Sequence, residues 1–218
     1  MKALGIILFY NVILLPYIWS QELSYHPEIL SGHRSFSYQH KIEFSVNPSL
    51  KLNNITLFDT EYNNDDNNLY FIRNSISYEF FKNIKVVGAF GIKNPGSFVT
   101  SALQYNYKKK NYMFMYSVGT TYQNGFTIEQ NFGFEFKPKI NMDMYGLLKL
   151  QVISNTSKKE YVRGIQQLRI GVIKNNLQFG FAANLDQFNN ASKTLANYGI
   201  FYKHNLIYSN NKTNENKL

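Results

Sequence analysis

The feature that most constrains this chain is a sustained two-residue alternation, at its clearest between Phe126 and Phe136. Phe126, Ile128, Phe132, Phe134 and Phe136 share one parity with Gln130 as the sole polar member, while Thr127, Glu129, Asn131, Gly133 and Glu135 share the other. Successive side chains of a β-strand point to opposite faces, so this segment is a strand with one apolar and one polar face. The scheme recurs over 140–152, where Ile140, Met142, Met144, Leu148, Leu150 and Val152 oppose Asn141, Asp143, Lys149 and Gln151, and again over 177–186. Strands are predicted near 38–46, 50–62, 68–80, 84–93, 97–107, 112–122, 126–136, 140–152, 161–173, 177–186 and 197–208. No helical period is present beyond Gln21, and no linker divides the strands, so the 218 residues read as one all-β domain.

A soluble β-sandwich alternates too, because one face of each sheet packs on a core. Strand length and aromatic placement separate the two readings. Soluble strands average about 5–6 residues, whereas a tilted membrane-crossing strand needs about 9–11. Here the apolar face repeatedly begins and ends on an aromatic: Tyr70 and Phe80, Tyr112 and Tyr122, Phe126 and Phe136, Tyr198 and Tyr208. Ten steps of about 3.4 Å, tilted by about 45°, rise about 24 Å, close to the ~25 Å apolar band between aromatic girdles. The expected fold is therefore a closed, antiparallel, up-and-down transmembrane β-barrel, with a secreted soluble sandwich as the alternative. On the barrel reading Tyr112, Phe114, Tyr116, Val118, Phe132, Phe134, Leu148, Leu150, Phe179 and Phe181 point outward to lipid.

Residues 1–20 carry Lys2, then an apolar stretch broken only by Tyr10 and Asn11, then Pro16 and Ser20. This is the layout of a secretory signal peptide cleaved near Ser20 and Gln21, and the run is shorter than a spanning helix requires. The domain reading is a signal peptide at 1–20, a barrel at 21–208 and a polar tail at 209–218. With Cys 0 there is no disulfide framework or thiolate metal site, so an exported chain must be held by other means such as sheet closure. The net charge of +9 does not indicate nucleic acid, because the lysines sit singly in turns, with Lys108-Lys109-Lys110, a hairpin tip, as the main exception.

The connections differ in character. Asn47-Pro48-Ser49, Phe81-Lys82-Asn83, Lys108 to Asn111, Lys137-Pro138-Lys139 and Lys174-Asn175-Asn176 are tight and often basic. Asn63 to Asn67, Asn155 to Glu160 and Gln187 to Asn197 are longer and Asn-rich, and Asn124-Gly125 is a two-residue hairpin signal. Alternation of short and long connections is expected when every second one lies on the same side of a membrane. Eleven strands cannot close antiparallel. Either a twelfth lies between Gln21 and Arg34, which the balance favours despite Pro27 and Gly32, or ten close between 50–62 and 197–208.

Taken together, the leader, the Tyr/Phe-terminated strands, the short turns and the Asn/Lys/Tyr-rich composition resemble the small outer-membrane barrels of Bacteroidota-type bacteria, over about 38–208. The resemblance is architectural. It implies an outer-membrane location and contact with outer-membrane lipid and lipopolysaccharide. It departs at the C-terminus, where such barrels usually end on an aromatic and this chain continues past Tyr208.

Arg73, Glu79, Glu129, Glu135, Asp143, Lys149, Arg163, Arg169 and Asp186 fall opposite the lipid face and are expected to pair across a narrow lumen. The leading expectation is a barrel without catalytic activity or cofactor, acting as envelope scaffold or as a narrow conduit for a small polar solute. The enzymatic alternative, a lipid-modifying barrel hydrolase, would rest on His33 and Ser35. His26, His33 and His40 are weak metal candidates, since their odd spacing sends neighbours to opposite faces of a strand.

Overall fold

The computed structural model describes residues 22–209. The leader at 1–20 and the tail beyond Ser209 lie outside the described residues. Thirteen strands follow in order: β1 (Glu22–Gly32), β2 (Ser35–Ser45), β3 (Leu50–Glu61), β4 (Leu69–Phe81), β5 (Ile84–Lys93), β6 (Gly96–Lys109), β7 (Tyr112–Tyr122), β8 (Phe126–Phe136), β9 (Met144–Thr156), β10 (Tyr161–Lys174), β11 (Leu177–Phe188), β12 (Lys193–His204) and the short β13 (Leu206–Ser209). Each of β1 to β12 pairs antiparallel with the next, and β12 returns to pair antiparallel with β1. The result is one closed twelve-stranded barrel, with β13 extending β12, rather than two packed sheets.

Closure is staggered. Following inner-face partners from Glu22 leads through Ser45, Lys51, Ser77, Val87, Ala102, Gly119, Glu129, Asn155, Arg163 and Phe188 to Lys193. Glu22 opens β1 at one end of the barrel and Lys193 opens β12 at the other, so a circuit climbs the wall. This stagger is what tilts the strands of a closed sheet.

The twelfth strand is β1, and Pro27 sits within it. Proline cannot donate to a ladder, and the ladder to the far side is broken just there. Tyr25 pairs Leu206 and Glu28 pairs Lys203, while Asn205 interrupts β12 and β13 opposite His26 and Pro27. The predicted last strand, 197–208, is thereby split in two.

The predicted strand 140–152 is displaced to 144–156. Ile140 and Met142 are exposed in the turn that follows Pro138, and Asp143 accompanies them there instead of facing the lumen. The Ile140 and Asn141 amides both donate to Met144 O (2.9 and 3.2 Å), so the chain coils back before β9 begins. The alternation of Ile140, Met142 and Met144 reads on through this turn because period two carries no stop signal of its own.

The short/long alternation of connections is also revised. β11 and β12 run into the Asn-rich segment and leave only 189–192 between them, while the longest connections are 62–68 at one end and 137–143 at the other. Tight turns occur at both ends because asparagine tolerates the left-handed region. Asn83, Asn124 and Asn175 have φ of 68°, 57° and 56°. Both described chain ends lie at the end of the barrel that carries 46–49, 82–83, 110–111, 137–143 and 175–176.

Outside, the wall is apolar, and aromatics mark both of its ends. Tyr122 packs on Phe126 at one (ring centroids 5.0 Å), and Tyr112 pairs Phe136 at the other. Tyr70, Phe80, Tyr198 and Tyr208 are exposed in the same way. Midway along β1 to β4 the wall carries a polar strip, in which the Tyr25 and Tyr38 hydroxyls bond at 2.8 Å and Asn54 Nδ2 donates to Asn74 Oδ1 at 2.9 Å. These polar groups satisfy one another, as a low-dielectric surrounding requires.

Candidate functional site: the charged lumen

Period two turns the complementary set of side chains inward, and the interior fills with ion pairs that join strands distant in the ring. Arg73 on β4 donates to Glu129 on β8 at 2.9 Å, with the Thr121 hydroxyl donating to the same carboxylate at 3.2 Å. Arg169 on β10 reaches Glu28 on β1 through Nε and Nη2, both 2.8 Å from Oε1. Gln39 donates to that oxygen at 2.7 Å, and the guanidinium lies 5.7 Å from the Phe201 ring centre. Arg163 grips Asp186 on the neighbouring β11 through Nε (2.9 Å) and Nη2 (2.5 Å).

Toward the end with the chain termini, Glu43 accepts from Lys41 and Lys51 (2.7 and 2.8 Å), Lys85 lies 3.4 Å from Glu79, and Lys137 lies 2.6 Å from Glu135. Arg34, at the opposite rim, pairs with Asp59 and Glu61. Of the nine inner-face charges predicted, eight face the interior and all but Lys149 join an ion pair among these. Asp143 is the exception in placement, held in its turn with its amide bonded to Asn141 Oδ1 at 3.0 Å.

Sequence reasoning missed Glu28, Arg34, Lys41, Lys93 and Lys203. Glu28 belongs to a strand that Pro27 obscured, yet Ser24, His26, Glu28 and Leu30 share one parity and would have exposed the pattern. Lys203 likewise shares the parity of Asn197 and Phe201.

Between the pairs lies a cavity of about 200 Å³, lined among others by Lys41, Lys93, Lys149, Lys203, Gln151 and Gln167. It shares Leu69, Lys93, Asn155 and Arg163 with a vestibule of about 370 Å³ that reaches Asp66, Asn67, Asn68 and Gln123 at the rim. The lumen is therefore approached from the end that carries connection 62–68. The two carboxylates in the cavity wall, Glu28 and Glu129, are engaged by Arg169 and Arg73. Among the described residues Lys93, Lys149 and Lys203 have no carboxylate partner, so the cavity carries an uncompensated positive field.

The histidines are dispersed. His26 lines the cavity. His33 lies in the β1–β2 turn, stacked on Tyr198 (5.5 Å, 13°) with Nδ1 accepting from the Tyr198 amide at 3.0 Å. His40 is on the outer wall with Nδ1 3.1 Å from the Tyr38 hydroxyl. Ser35 is fully buried and its hydroxyl accepts from Asn197 Nδ2 at 2.8 Å, so it is engaged by Asn197 while the His33 ring is engaged by Tyr198.

No family model matches the sequence, nor does any curated protein. Among solved structures, the chain is similar to an outer-membrane channel from Pseudomonas putida F1 (8% identity, covering 87% of this chain and 96% of that one, TM-score 0.47). It is similar also to a bacterial polysaccharide outer-membrane secretin (8%, 88% and 99%, TM-score 0.42) and to the outer-membrane protein OmpT of Vibrio cholerae (9%, 86% and 98%, TM-score 0.37). Identities and superpositions this low transfer neither solute nor mechanism.

Proposed function

We propose that this chain is an outer-membrane barrel without catalytic activity that serves as a narrow conduit for small polar solutes and favours anions. The observation that carries this reading is the contrast between the two walls: exposed aromatic and aliphatic side chains outside, and inside an approachable cavity around which Lys93, Lys149 and Lys203 have no carboxylate partner among the described residues. An exposed apolar area of this extent suits lipid and would be anomalous on a soluble monomer, and a closed sheet leaves no unpaired edge in hydrocarbon. The Bacteroidota-type composition and the tight basic turns favour the same placement, with the chain termini periplasmic and connection 62–68 facing lipopolysaccharide. The separate engagements of His33 and Ser35 support a non-catalytic role.

Two measurements test this. The full chain is expected in the outer-membrane fraction and to need detergent for release; recovery in the soluble fraction overturns the placement. In planar bilayers under a KCl gradient the reversal potential is expected on the anion side, and Lys149→Glu with Lys203→Glu is expected to shift it toward the cation side. A cation-preferring or unchanged reversal potential removes the anion-favouring role.

A further inference from the structure

Two apolar surfaces face each other inside the barrel. Ile55 and Leu57 on β3 with Leu69 and Phe71 on β4 form one, and Ile153 on β9 with Ile165 on β10 forms the other. In the ring of twelve, β3 and β4 lie half a circuit from β9 and β10, so these are opposite walls of a single cavity. The Phe71 ring lies stacked on Phe98 (5.7 Å, 14°), which presents a flat aromatic surface. A passage for hydrated inorganic ions gains nothing from such walls, since apolar area held against water costs about 25 cal/mol per Å².

Two of the three free ammonium groups, Lys149 and Lys203, lie to one side of these walls, while Lys93 is in register with Phe71 at the loop end with its ammonium 5.0 Å from the Phe98 ring centre. Lys149 precedes Ile153 by four residues on a strand that runs toward the loop end, and Lys203 is the penultimate residue of β12 at the terminal end. Leu69 and Phe71 begin β4 at the loop end. A molecule entering from the rim thus passes Lys93 and the apolar surfaces before its leading end meets Lys149 and Lys203. The size of the space is also restrictive: about 200 Å³, against the roughly 150 Å³ of apolar cavity that admits a benzene ring.

We infer that the cavity binds a small organic monoanion, a carboxylate with an apolar body of about one aromatic ring, its head at Lys149 and Lys203 and its body between the Phe71 and Ile165 walls. The inference rests on the anion-favouring lumen proposed above and names its ligand class. The carboxylate replaces its hydration with charge-assisted hydrogen bonds from two ammonium groups, while the body removes apolar wall from water. Neither half alone satisfies both parts of the site.

The test is calorimetric titration of the full barrel in non-ionic detergent with three probes: phenylacetate, which has both parts, acetate, which has the head, and 2-phenylethanol, which has the body. Phenylacetate is expected to bind saturably at one site, with acetate and phenylethanol each weaker by about tenfold or more. Lys149→Gln with Lys203→Gln is expected to reduce phenylacetate to the level of phenylethanol. Ile165→Asn is expected to weaken phenylacetate, with compact, heat-modifiable migration in unboiled SDS gels certifying that this variant folds. Phenylacetate binding no tighter than acetate, with anion preference intact, overturns the ligand class and leaves the conduit standing. Loss of phenylacetate discrimination in a barrel that also lacks anion preference overturns both.

Discussion

Replacing Glu28 by alanine is expected to lower the unfolding free energy of the barrel by about 3–5 kcal/mol, the usual cost of stranding one member of a buried ion pair. The side chains of Arg169 and Glu28 are 3% and 4% exposed, so both charges are withdrawn from water and satisfied by each other in the intact barrel. A single carboxylate oxygen there accepts from Arg169 Nε, Arg169 Nη2 and Gln39 Nε2. Without it the guanidinium keeps only Asn184 Oδ1 (2.8 Å) and main-chain carbonyls as acceptors, together with the Phe201 ring. Urea unfolding in lipid vesicles reads the effect as a lower midpoint. The double variant Glu28→Met with Arg169→Met is expected to regain most of the loss, because it removes both charges at once. A cost below about 1 kcal/mol for Glu28→Ala would place the pair among exposed bridges and sink the account of a sealed interior wall.

The second large effect is expected at the seam where β12 meets the β1–β2 turn. Asn197 is fully buried and acts as a clamp. Its Oδ1 accepts from the Arg34 amide (3.1 Å) and the Ser35 amide (3.3 Å), and its Nδ2 donates to Ser35 O (3.2 Å) and Ser35 Oγ (2.8 Å). Asn197→Ala orphans two backbone donors in the turn, at about 1–3 kcal/mol for each buried group left unpaired. Gly32 makes room for the clamp, since a Cβ there would lie 2.0 Å from Asn197 Oδ1. Both Asn197→Ala and Gly32→Val are expected to reduce the fraction of chain that migrates as the compact, heat-modifiable form in unboiled SDS gels. Asn197→Asp, which retains the acceptor and loses the donor, is expected to fall between wild type and alanine. Unchanged migration of all three would show that the seam is held by its backbone ladder alone.

Much of the wall was legible in the sequence because a strand writes its two environments into alternate residues. β5, β7 and β8 run over 84–93, 112–122 and 126–136, the segments the alternation marks. Where the prediction slipped, a local signal overrode or imitated the period. Pro27 masked β1, although its missing donor falls opposite the Asn205 break. Ile140 and Met142 continued the rhythm of β9 into a turn, and carried Asp143 with them onto the wrong face.

The sequence by itself determined that this chain is a set of membrane-length, two-faced strands, and which parity of each strand is apolar. Those are properties of neighbours along the chain, fixed by the geometry of an extended backbone. Only the tertiary structure decided who meets whom across the lumen: that Arg73 finds Glu129 four strands away, that Arg169 finds Glu28 across the closing seam, and that among the described residues Lys149 and Lys203 are left without a carboxylate. These partnerships depend on the stagger with which the sheet closes, a single global register set by twelve ladders together, and no segment of the sequence contains it.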